Sequence, residues 1–278
     1  MFKNQQIIVF SPFYISPHFS AEQTQQLLLD LKQFLKNIHQ QKHHFSQFFL
    51  IDDGNSPNIK EILLQLQQTY PWLNIHSHTK NIGLDQSLFQ TYNFLLEKNH
   101  LNESDIIIRL DADGEHDPSF IPTLIEKINA GNDVALCQIQ YHSLHQQEFD
   151  LEFNTFQGAL QGEIILGKGK KLLHNSPGFS AYTLKVLHTI LPEVPNYLQR
   201  YELKYHEPCK WGADLVLLFH ASLNHFHIDT TSTQPSLLKP ANRSIAKMLD
   251  QLRTNTQHLQ LMLELNSKPK EDPNRKKN

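Results

Sequence analysis

Cysteine is scarce in this sequence, since only Cys137 and Cys209 occur among 278 residues. Two distant cysteines argue against a disulfide framework and a zinc knuckle, and they favour a reducing compartment. No uninterrupted apolar run approaches the ~18 residues of a membrane-spanning helix. The first six residues, MFKNQQ, lack the apolar region of a signal peptide. We therefore expect a soluble protein that works in the cytoplasm, with the inner face of the membrane as a further possible location.

A large excess of one charge is also missing. Lys and Arg number 25 and Asp and Glu number 28, so the net charge is −3. This balance predicts no general surface for nucleic acid. Basic residues cluster at Lys168, Lys170 and Lys171 and again at residues 275–277. The three lysines could hold a diphosphate or a lipid phosphate, or they could form a solvated loop, and the basic tail could contact a membrane peripherally.

What is present is an alternation of short apolar runs with helical patterns. Strands are predicted at residues 7–10, 48–51, 73–76, 106–110, 134–137 and 226–229. Amphipathic helices separate the first five, and the first helix begins at Ser20 with Gln23 in a capping-box position. This alternation predicts βαβ units and a mostly parallel sheet.

Beyond residue 141 the pattern weakens. Residues 176–182 read as a tight loop that enters a helix over residues 183–190, and a last helix spans about residues 244–265. We expect one domain over residues 1–265, followed by a disordered tail at 266–278.

The most informative segment is DADGEHDP at residues 111–118, which directly follows the apolar run 106–110. Asp111 and Asp113 share one side of an extended backbone, at the strand end where open α/β sheets bind ligands. Two such carboxylates can hold Mg²⁺ or Mn²⁺ together with phosphate oxygens of a nucleotide. The same residue types also form turns, so the segment could simply end a strand and start a helix.

Four other segments accompany this motif in a recognisable order: IDDG at 51–54, NIG at 81–83, SPGF at 176–179 and WGAD at 211–214. Their order and spacing resemble the family 2 glycosyltransferases of the GT-A fold, especially the branch like dolichol- or polyprenyl-phosphate mannose synthases. The resemblance covers about residues 5–230. It implies an α/β fold with a Rossmann-like, mostly parallel sheet flanked by helices. It further implies a nucleotide-sugar-binding half at residues 1–140 and an acceptor-binding half at 141–265.

Carried over position by position, the resemblance implies a donor site. The implied nucleotide contacts are Pro12, Tyr14, Asp52, Asp53, Asn81, Gly83 and Asp111. One carboxylate of the pair Asp52 and Asp53 would contact the base or the ribose, because a carboxylate accepts hydrogen bonds from ring N–H groups and hydroxyls. The alternative for either residue is to cap the following helix.

The resemblance also implies a metal site and a catalytic base. Asp111 and Asp113 would bind the divalent cation, Mn²⁺ or Mg²⁺, and Glu115 would be a third ligand. Asp214 would be the base that takes the acceptor proton. The family usually has an acidic residue before this base, whereas this chain has Ala213. Without the resemblance, Asp214 would be explained as a carboxylate favoured by a helix N-terminus.

The implied activity is an inverting, metal-dependent transfer from a UDP- or GDP-sugar to a glycan, lipid-phosphate or protein acceptor. Ile15 and Asn55 depart from the family pattern and leave the nucleotide open. A sugar-nucleotidyltransferase is one alternative, but it would need a Gly-rich basic loop after the first strand, and residues 11–14 contain no glycine. A catalytically inactive GT-A domain that acts as a binding protein is another alternative.

Overall fold

The computed structural model describes residues 5–98, 100–139, 158–167, 172, 178–233 and 245–267. Several sequence predictions fall outside these residues: the lysine cluster at 168–171, the first two residues of the segment 176–179, and the tail beyond residue 267.

One sheet of seven strands runs through the described residues. The strands are β1 (Ile7–Phe13), β2 (Gln47–Asp52), β3 (Leu73–Ser77), β4 (Ile106–Arg109), β5 (Val134–Ile139), β6 (Ser180–Thr183) and β7 (Ile228–Thr233). Their spatial order is β3-β2-β1-β4-β6-β5-β7. All neighbouring pairs are parallel except those of β6, which is antiparallel to both β4 and β5. The predicted mostly parallel sheet is confirmed.

Helices cover both faces of the sheet. They are α1 (Ala21–Gln40), α2 (Pro57–Thr69), α3 (Leu84–Lys98), α4 (Ile121–Asn129), α5 (158–165), α6 (Leu184–Ile190), α7 (Val194–Tyr205), α8 (Ala213–Leu223) and α9 (Ile245–Ser267). Helices α1, α2 and α4 contribute to the hydrophobic core on one face, whereas α3 and α5 to α9 contribute to the core on the other. Among the described helices, none has the length and apolar character needed to cross a bilayer.

Burial on both faces explains the continuous apolar runs of the central strands. In β1, Ile8 and Phe10 pack into one core while Ile7 and Val9 pack into the other. A strand that is covered on both sides needs apolar residues at every position rather than at alternate ones. The capping box at α1 is also confirmed, because Gln23 N donates to Ser20 Oγ at 3.1 Å and Ser20 N donates to Gln23 Oε1 at 2.9 Å.

The structure corrects three predictions of local structure. Residues 180–182, expected to be a loop, and Thr183, expected to begin a helix, form β6, because Ala181 and Tyr182 are fully buried between β4 and β5. Four residues are too few to show a strand period, so only the tertiary pairing reveals this strand. Strand β1 continues past residue 10 to Phe13, and α7 is a helix that the sequence pattern did not predict.

Candidate functional site

A cavity of about 800 Å³ opens at the carboxyl ends of β1, β2 and β4. Its lining includes most of the residues predicted from the sequence: Pro12, Tyr14, Asp53, Asn81, Gly83, Asp111 and Asp113. Three other predicted residues, Asp52, Glu115 and Asp214, do not line it. The remaining wall comes from α1, from the start of α3 and from residues 208–211. The predicted strand-end motifs therefore meet at one edge of the sheet.

Asp52 and Asp53 have different surroundings although they are adjacent. Asp52 is fully buried, and its Oδ1 accepts hydrogen bonds from the backbone and side-chain nitrogens of Asn55, both at 2.8 Å. Asn55 in turn donates to Phe13 O at 3.0 Å and accepts from Ile15 N at 2.7 Å. This pair ties the end of β2 to the loop after β1. Neither aspartate caps α2, whose N-cap is Ser56.

Asp53 is the member of the pair that lines the cavity. Its Oδ2 accepts a hydrogen bond from Asn81 Nδ2 at 2.9 Å, and its Oδ1 accepts one from Ile82 N at 3.1 Å. Burial raises the pKa of Asp53, and the hydrogen bond from Ile82 opposes this shift. Gly54 permits the approach, because a Cβ there would lie 2.0 Å from the carbonyl carbon of Lys80. The motifs at 51–54 and 81–83 thus form one unit.

Asp111 and Asp113 follow β4 and both line the cavity. Asp111 Oδ1 accepts a hydrogen bond from Arg109 Nη2 at 2.7 Å, and its Oδ2 lies 3.8 Å from His116 Nε2. Burial lowers the pKa of His116 to about 4, so this imidazole is neutral at pH 7. Glu115 contacts Asp113 through its backbone, because Glu115 N donates to Asp113 Oδ1 at 3.1 Å.

The donor set fits a divalent cation that also binds phosphate. Carboxylate oxygens are the ligands that Mg²⁺ and Mn²⁺ prefer, and Mg²⁺ is commonly held by one or two carboxylates plus substrate phosphates. Within the described part of the chain, no three His, Cys, Asp or Glu side chains gather as a complete metal site. The imidazole of His220, for example, is engaged by a single carboxylate, because its Nδ1 lies 2.9 Å from Glu193 Oε2. The ligand role of Glu115 stays a prediction.

Arg109 lies between Asp111, which follows β4, and Asp214, which lies in α8. Its guanidinium is 1% exposed, with Nη2 at 2.7 Å from Asp111 Oδ1 and Nη1 at 3.2 Å from Asp214 Oδ2. Burial lowers the pKa of Arg109, but the two carboxylates outweigh this effect and raise it. Arg109 is therefore a permanent cation between Asp111 and Asp214.

Asp214 lies in the first turn of α8 and is 4% exposed. Its Oδ1 is buried and has no hydrogen-bond partner among the described residues. Burial raises the pKa of Asp214 to about 7, with Arg109 lowering it and Asp111 and Asp85 raising it. Such a pKa is suited to a group that exchanges a proton near neutral pH.

Gly178 packs against the cluster around Asp111. A Cβ on Gly178 would lie 2.4 Å from Asp111 Oδ2, 2.5 Å from Arg109 Nη1 and 3.1 Å from His116 Nε2. Residue 178 must therefore be glycine if the carboxylate of Asp111 is to keep its position, because a side chain there would overlap it.

The sequence did not predict the roles of three residues in this site: Arg109, Asp85 and Gly178. A charged residue at the end of the otherwise apolar run 106–110 was the available signal for Arg109. Asp85 had no comparable signal, because an acidic residue in the first turn of a helix is ordinary. It lines the cavity, and its Oδ2 accepts a hydrogen bond from Gly212 N at 2.9 Å.

Comparison with known proteins agrees with this geometry. The family model described as "Glycosyl transferase family 2" matches residues 28–191, which is more than half of the chain. The mannosyltransferase PcManGT from Pyrobaculum calidifontis, whose structure contains GDP-Man and Mn²⁺, aligns with a TM-score of 0.51 and 12% identity. This alignment covers 94% of the present chain and 70% of the mannosyltransferase. At this identity it supports a shared fold, and the expected GT-A architecture is confirmed.

Two further structures align less well. Residues 1–349 of S. aureus TarS align with a TM-score of 0.49 and 14% identity, covering 83% of the present chain and 59% of that one. A 4-diphosphocytidyl-2C-methyl-D-erythritol synthase aligns with a TM-score of 0.45 and 10% identity, covering 92% and 98% of the two chains. Both scores are below 0.5, so neither alignment bears on function.

Proposed function

Because the chain belongs to glycosyl transferase family 2, we propose that it is an inverting, metal-dependent glycosyltransferase. It takes a sugar from a UDP- or GDP-sugar and transfers it to an acceptor in polysaccharide, glycolipid or glycoprotein synthesis. The observation that carries this proposal is the cavity at the strand ends, which Asp53, Asp111 and Asp113 line together. The complex of the Pyrobaculum mannosyltransferase with GDP-Man and Mn²⁺ supports the same ligand class for this chain.

The donor site is proposed to lie within residues 1–140. Asp53 has a buried carboxylate oriented by Asn81 and Ile82, and such a group can accept hydrogen bonds from a base or ribose. Pro12 and Tyr14 line the same part of the cavity, where an exposed aromatic ring can stack on a base. Asp52 is engaged by Asn55, so we assign the nucleotide contact to Asp53 and a supporting role to Asp52.

The cation site is proposed to use Asp111 and Asp113, with Glu115 as a further candidate. A bound Mn²⁺ or Mg²⁺ would supply positive charge against the departing nucleoside diphosphate. Arg109 holds Asp111 Oδ1 in a fixed position, which prepares that carboxylate for its role.

Asp214 is proposed to be the general base. In a single displacement, the acceptor oxygen bonds to the anomeric carbon, the bond from that carbon to the diphosphate oxygen breaks, and the acceptor proton goes to Asp214. Arg109 lies against Asp214 Oδ2, which leaves the unpartnered Oδ1 available for that proton. Residues 141–265 are proposed to bind the acceptor, because Asp214 and the wall at 208–211 belong to this part of the chain.

The donor and cation proposal is tested with the variant D113A. We expect it to lose the Mn²⁺-dependent binding of UDP and GDP, because the cation would lack one of its two charged ligands. Isothermal titration calorimetry with and without Mn²⁺ measures this loss. The matched control is D117A, because Asp117 accepts a hydrogen bond from the nearby Ser119 N and is not among the described residues that line the cavity. Binding by D113A equal to that of the parent would remove the metal role from Asp113.

The base proposal is tested with the variant D214N. We expect it to bind nucleotide and Mn²⁺ like the parent but to lose sugar transfer, since an amide cannot accept the acceptor proton. A panel of UDP- and GDP-sugars, followed by release of the nucleoside diphosphate, measures turnover. Retained turnover in D214N would exclude this role for Asp214. Donor binding by the parent without any turnover would instead favour the inactive binding protein.

The mannose synthase-like branch and the cellular location stay predictions.

A further inference from the structure

A carboxylate of α3 anchors the segment that leads into α8. Asp85 lies in the first turn of α3 and is 4% exposed. Its Oδ2 accepts hydrogen bonds from Gly212 N at 2.9 Å and from Cys209 Sγ at 3.3 Å. Gly212 is the N-cap residue of α8, and Asp214 is the second residue of this helix. One side chain of α3 therefore fixes the backbone two residues before the proposed base.

The same segment is also held by α9. Cys209 Sγ lies 3.4 Å from Nε2 of the buried His258, whose Nδ1 lies 2.8 Å from Tyr197 Oη. A Cβ on Gly212 would lie 2.0 Å from His258 Nε2, so the backbone of residue 212 packs directly on the imidazole ring. Contacts from α3 and α9 thus fix residues 209–212, and a base that follows such a segment is preorganised for its reaction.

The N-terminus of α8 depends on this contact with α3. The first N–H groups of a helix have no partner within the helix, and a polar side chain at the N-cap usually supplies one. The N-cap of α8 is Gly212, which has no side chain, and the next residue, Ala213, is apolar and 2% exposed. Asp85 supplies the missing acceptor from a different helix. Its carboxylate also places negative charge at the positive end of the α8 dipole.

Charged and titratable groups from several elements face the carboxylate of Asp214. They are Arg109 at the end of β4, Asp111 after it, Asp85 and Tyr92 on α3, and Tyr182 on β6. Burial raises the pKa of Asp214 to about 7, Arg109 lowers it, and Asp111 and Asp85 raise it. Burial also raises the pKa of both tyrosines, so they are neutral at pH 7. Asp111 belongs to the proposed cation site whereas Asp85 does not, so the charge of Asp85 acts on Asp214 with or without a cation.

We propose that Asp85 is a positioning residue, which fixes Asp214 through Gly212 and whose negative charge makes the carboxylate of Asp214 a stronger proton acceptor. A like charge disfavours the ionised form of a neighbouring acid, so Asp214 binds the acceptor proton more readily. This role rests on the proposed function, in which Asp214 is the general base. Asp85 acts through the backbone and through its electric field, and it needs no contact with the reacting atoms.

The variant D85A removes both the anchor and the charge. The assay is release of nucleoside diphosphate from UDP- and GDP-sugars in Mn²⁺, with water as the acceptor. We expect kcat/KM for this hydrolysis at pH 8 to fall about tenfold or more, because the segment before Asp214 loses its hydrogen bonds to a charged group. The affinity for UDP or GDP should not fall, since the variant removes a negative charge from the cavity. A value of kcat/KM equal to that of the parent would overturn the positioning role.

The variant D85N separates the anchor from the charge. Its amide oxygen can still accept the hydrogen bond from Gly212 N, so we expect it to retain most of the activity that D85A loses at pH 8. Removal of the charge should move the pH at which kcat/KM reaches half its maximum to a lower value, because the ionised form of Asp214 is then less disfavoured. Loss of a merely structural contact leaves this midpoint in place. An unchanged midpoint in D85N would overturn the electrostatic role, and this measurement stands even if D85A fails to fold.

The matched control is D105N. Asp105 is 1% exposed and accepts hydrogen bonds from Gln6 N at 2.8 Å and from Asn102 N at 2.6 Å, but it lies at the amino end of β4, away from the cavity. We expect D105N to keep the pH midpoint of the parent.

Turnover by the parent separates the role of Asp85 from the function on which it rests. If the parent releases nucleoside diphosphate from none of the donors, the proposed function fails. If the parent is active and both Asp85 variants match its rate and its pH midpoint, only the role of Asp85 fails.

Discussion

At the scale of single residues, the site depends on how three charges are held in a buried volume. Arg109 is almost fully buried, and its charge is balanced by Asp111 on one side and by Asp214 on the other. A buried charge without a partner is costly, so Arg109 stabilises the ionised form of each carboxylate, whereas the charge of Asp111 disfavours the ionised form of Asp214. The two carboxylates have different exposure: the Asp111 side chain is 33% exposed and that of Asp214 is 5%. The greater burial of Asp214 is the main reason that its pKa is raised.

The substitution G178A tests the packing around Asp111. The added Cβ would overlap Asp111 Oδ2 and Arg109 Nη1, so the carboxylate must move. We expect Mn²⁺-dependent affinity for UDP or GDP to fall by ~10- to 100-fold, as when other supporting residues of metal sites are lost. Calorimetric titration gives the affinity.

The control for this substitution is G131A. Its Cβ meets nothing within 4 Å, but φ at this position is +101°, so alanine is strained there. G131A should lower stability and leave nucleotide affinity unchanged. Equal affinity in G178A and the parent would show that the contact with Gly178 does not orient Asp111.

The pH dependence of turnover follows from Asp214. Burial raises its pKa to about 7, so the carboxyl is protonated and inactive as a base below that pH. We expect kcat/KM for the acceptor to rise with pH, to reach half its maximum near pH 7 and to fall about tenfold for each pH unit below. Rates at saturating donor and low acceptor concentration between pH 5 and pH 9 provide the profile, with nucleotide affinity measured at each pH as the control. A rate that is already constant from pH 5 upward would contradict a base with this pKa.

At the scale of elements, the last helix supports the cavity wall at residues 208–211. Leu259, Leu261 and Met262 of α9 are buried, and the same helix supplies His258 behind Gly212 and Cys209. Burial lowers the pKa of His258 to about 4, so a neutral ring fills this position at pH 7. The described helix α9 therefore contributes to the site without lining it.

Truncation after residue 244 tests this role. Each of the three buried apolar side chains of α9 contributes about 1.5–3 kcal/mol to stability, so we expect a clear drop in Tm and in the free energy of unfolding. Thermal and urea unfolding measure both quantities. Truncation after residue 267 is the matched control, because α9 ends there and its buried residues are retained. A Tm that is unchanged without residues 245–278 would exclude α9 from the core.

At the scale of the whole molecule, charge is distributed unevenly despite a net charge of only −3. Among the described lining residues of the cavity at the edge of the sheet, five carry carboxylates and one is a lysine. The carboxyl ends of β1, β2 and β4 meet there, so acidic residues far apart in sequence converge. Two like charges about 4 Å apart repel by about 4 kcal/mol at an effective dielectric constant of 20. We therefore expect a diphosphate to bind this cavity better when a cation is present.

Removal of divalent cations tests this conclusion. With EDTA in place of Mn²⁺, we expect the affinity for UDP or GDP to fall by ~100-fold or more, because the phosphates then meet uncompensated carboxylates. The rise in Tm that UDP or GDP causes should also disappear when EDTA replaces Mn²⁺. Uridine and guanosine are the controls, since they carry no phosphate and their weak binding should not depend on Mn²⁺. Equal affinity for UDP with EDTA and with Mn²⁺ would contradict a cation-dependent site.

The sequence by itself determined the α/β class, the mostly parallel sheet and the strand-end motifs with Asp53, Asp111 and Asp113. Hydrophobic periodicity and turn chemistry are local properties, so they can be read along the chain. Only the tertiary structure decided that β6 is a strand, that Arg109 joins Asp111 to Asp214, and that Asp85 shares a cavity wall with residues 208–211. Apart from the contact of Arg109 with Asp111, these contacts join residues distant in sequence. Their energies arise from burial and from the pairing of charges, which no local pattern records.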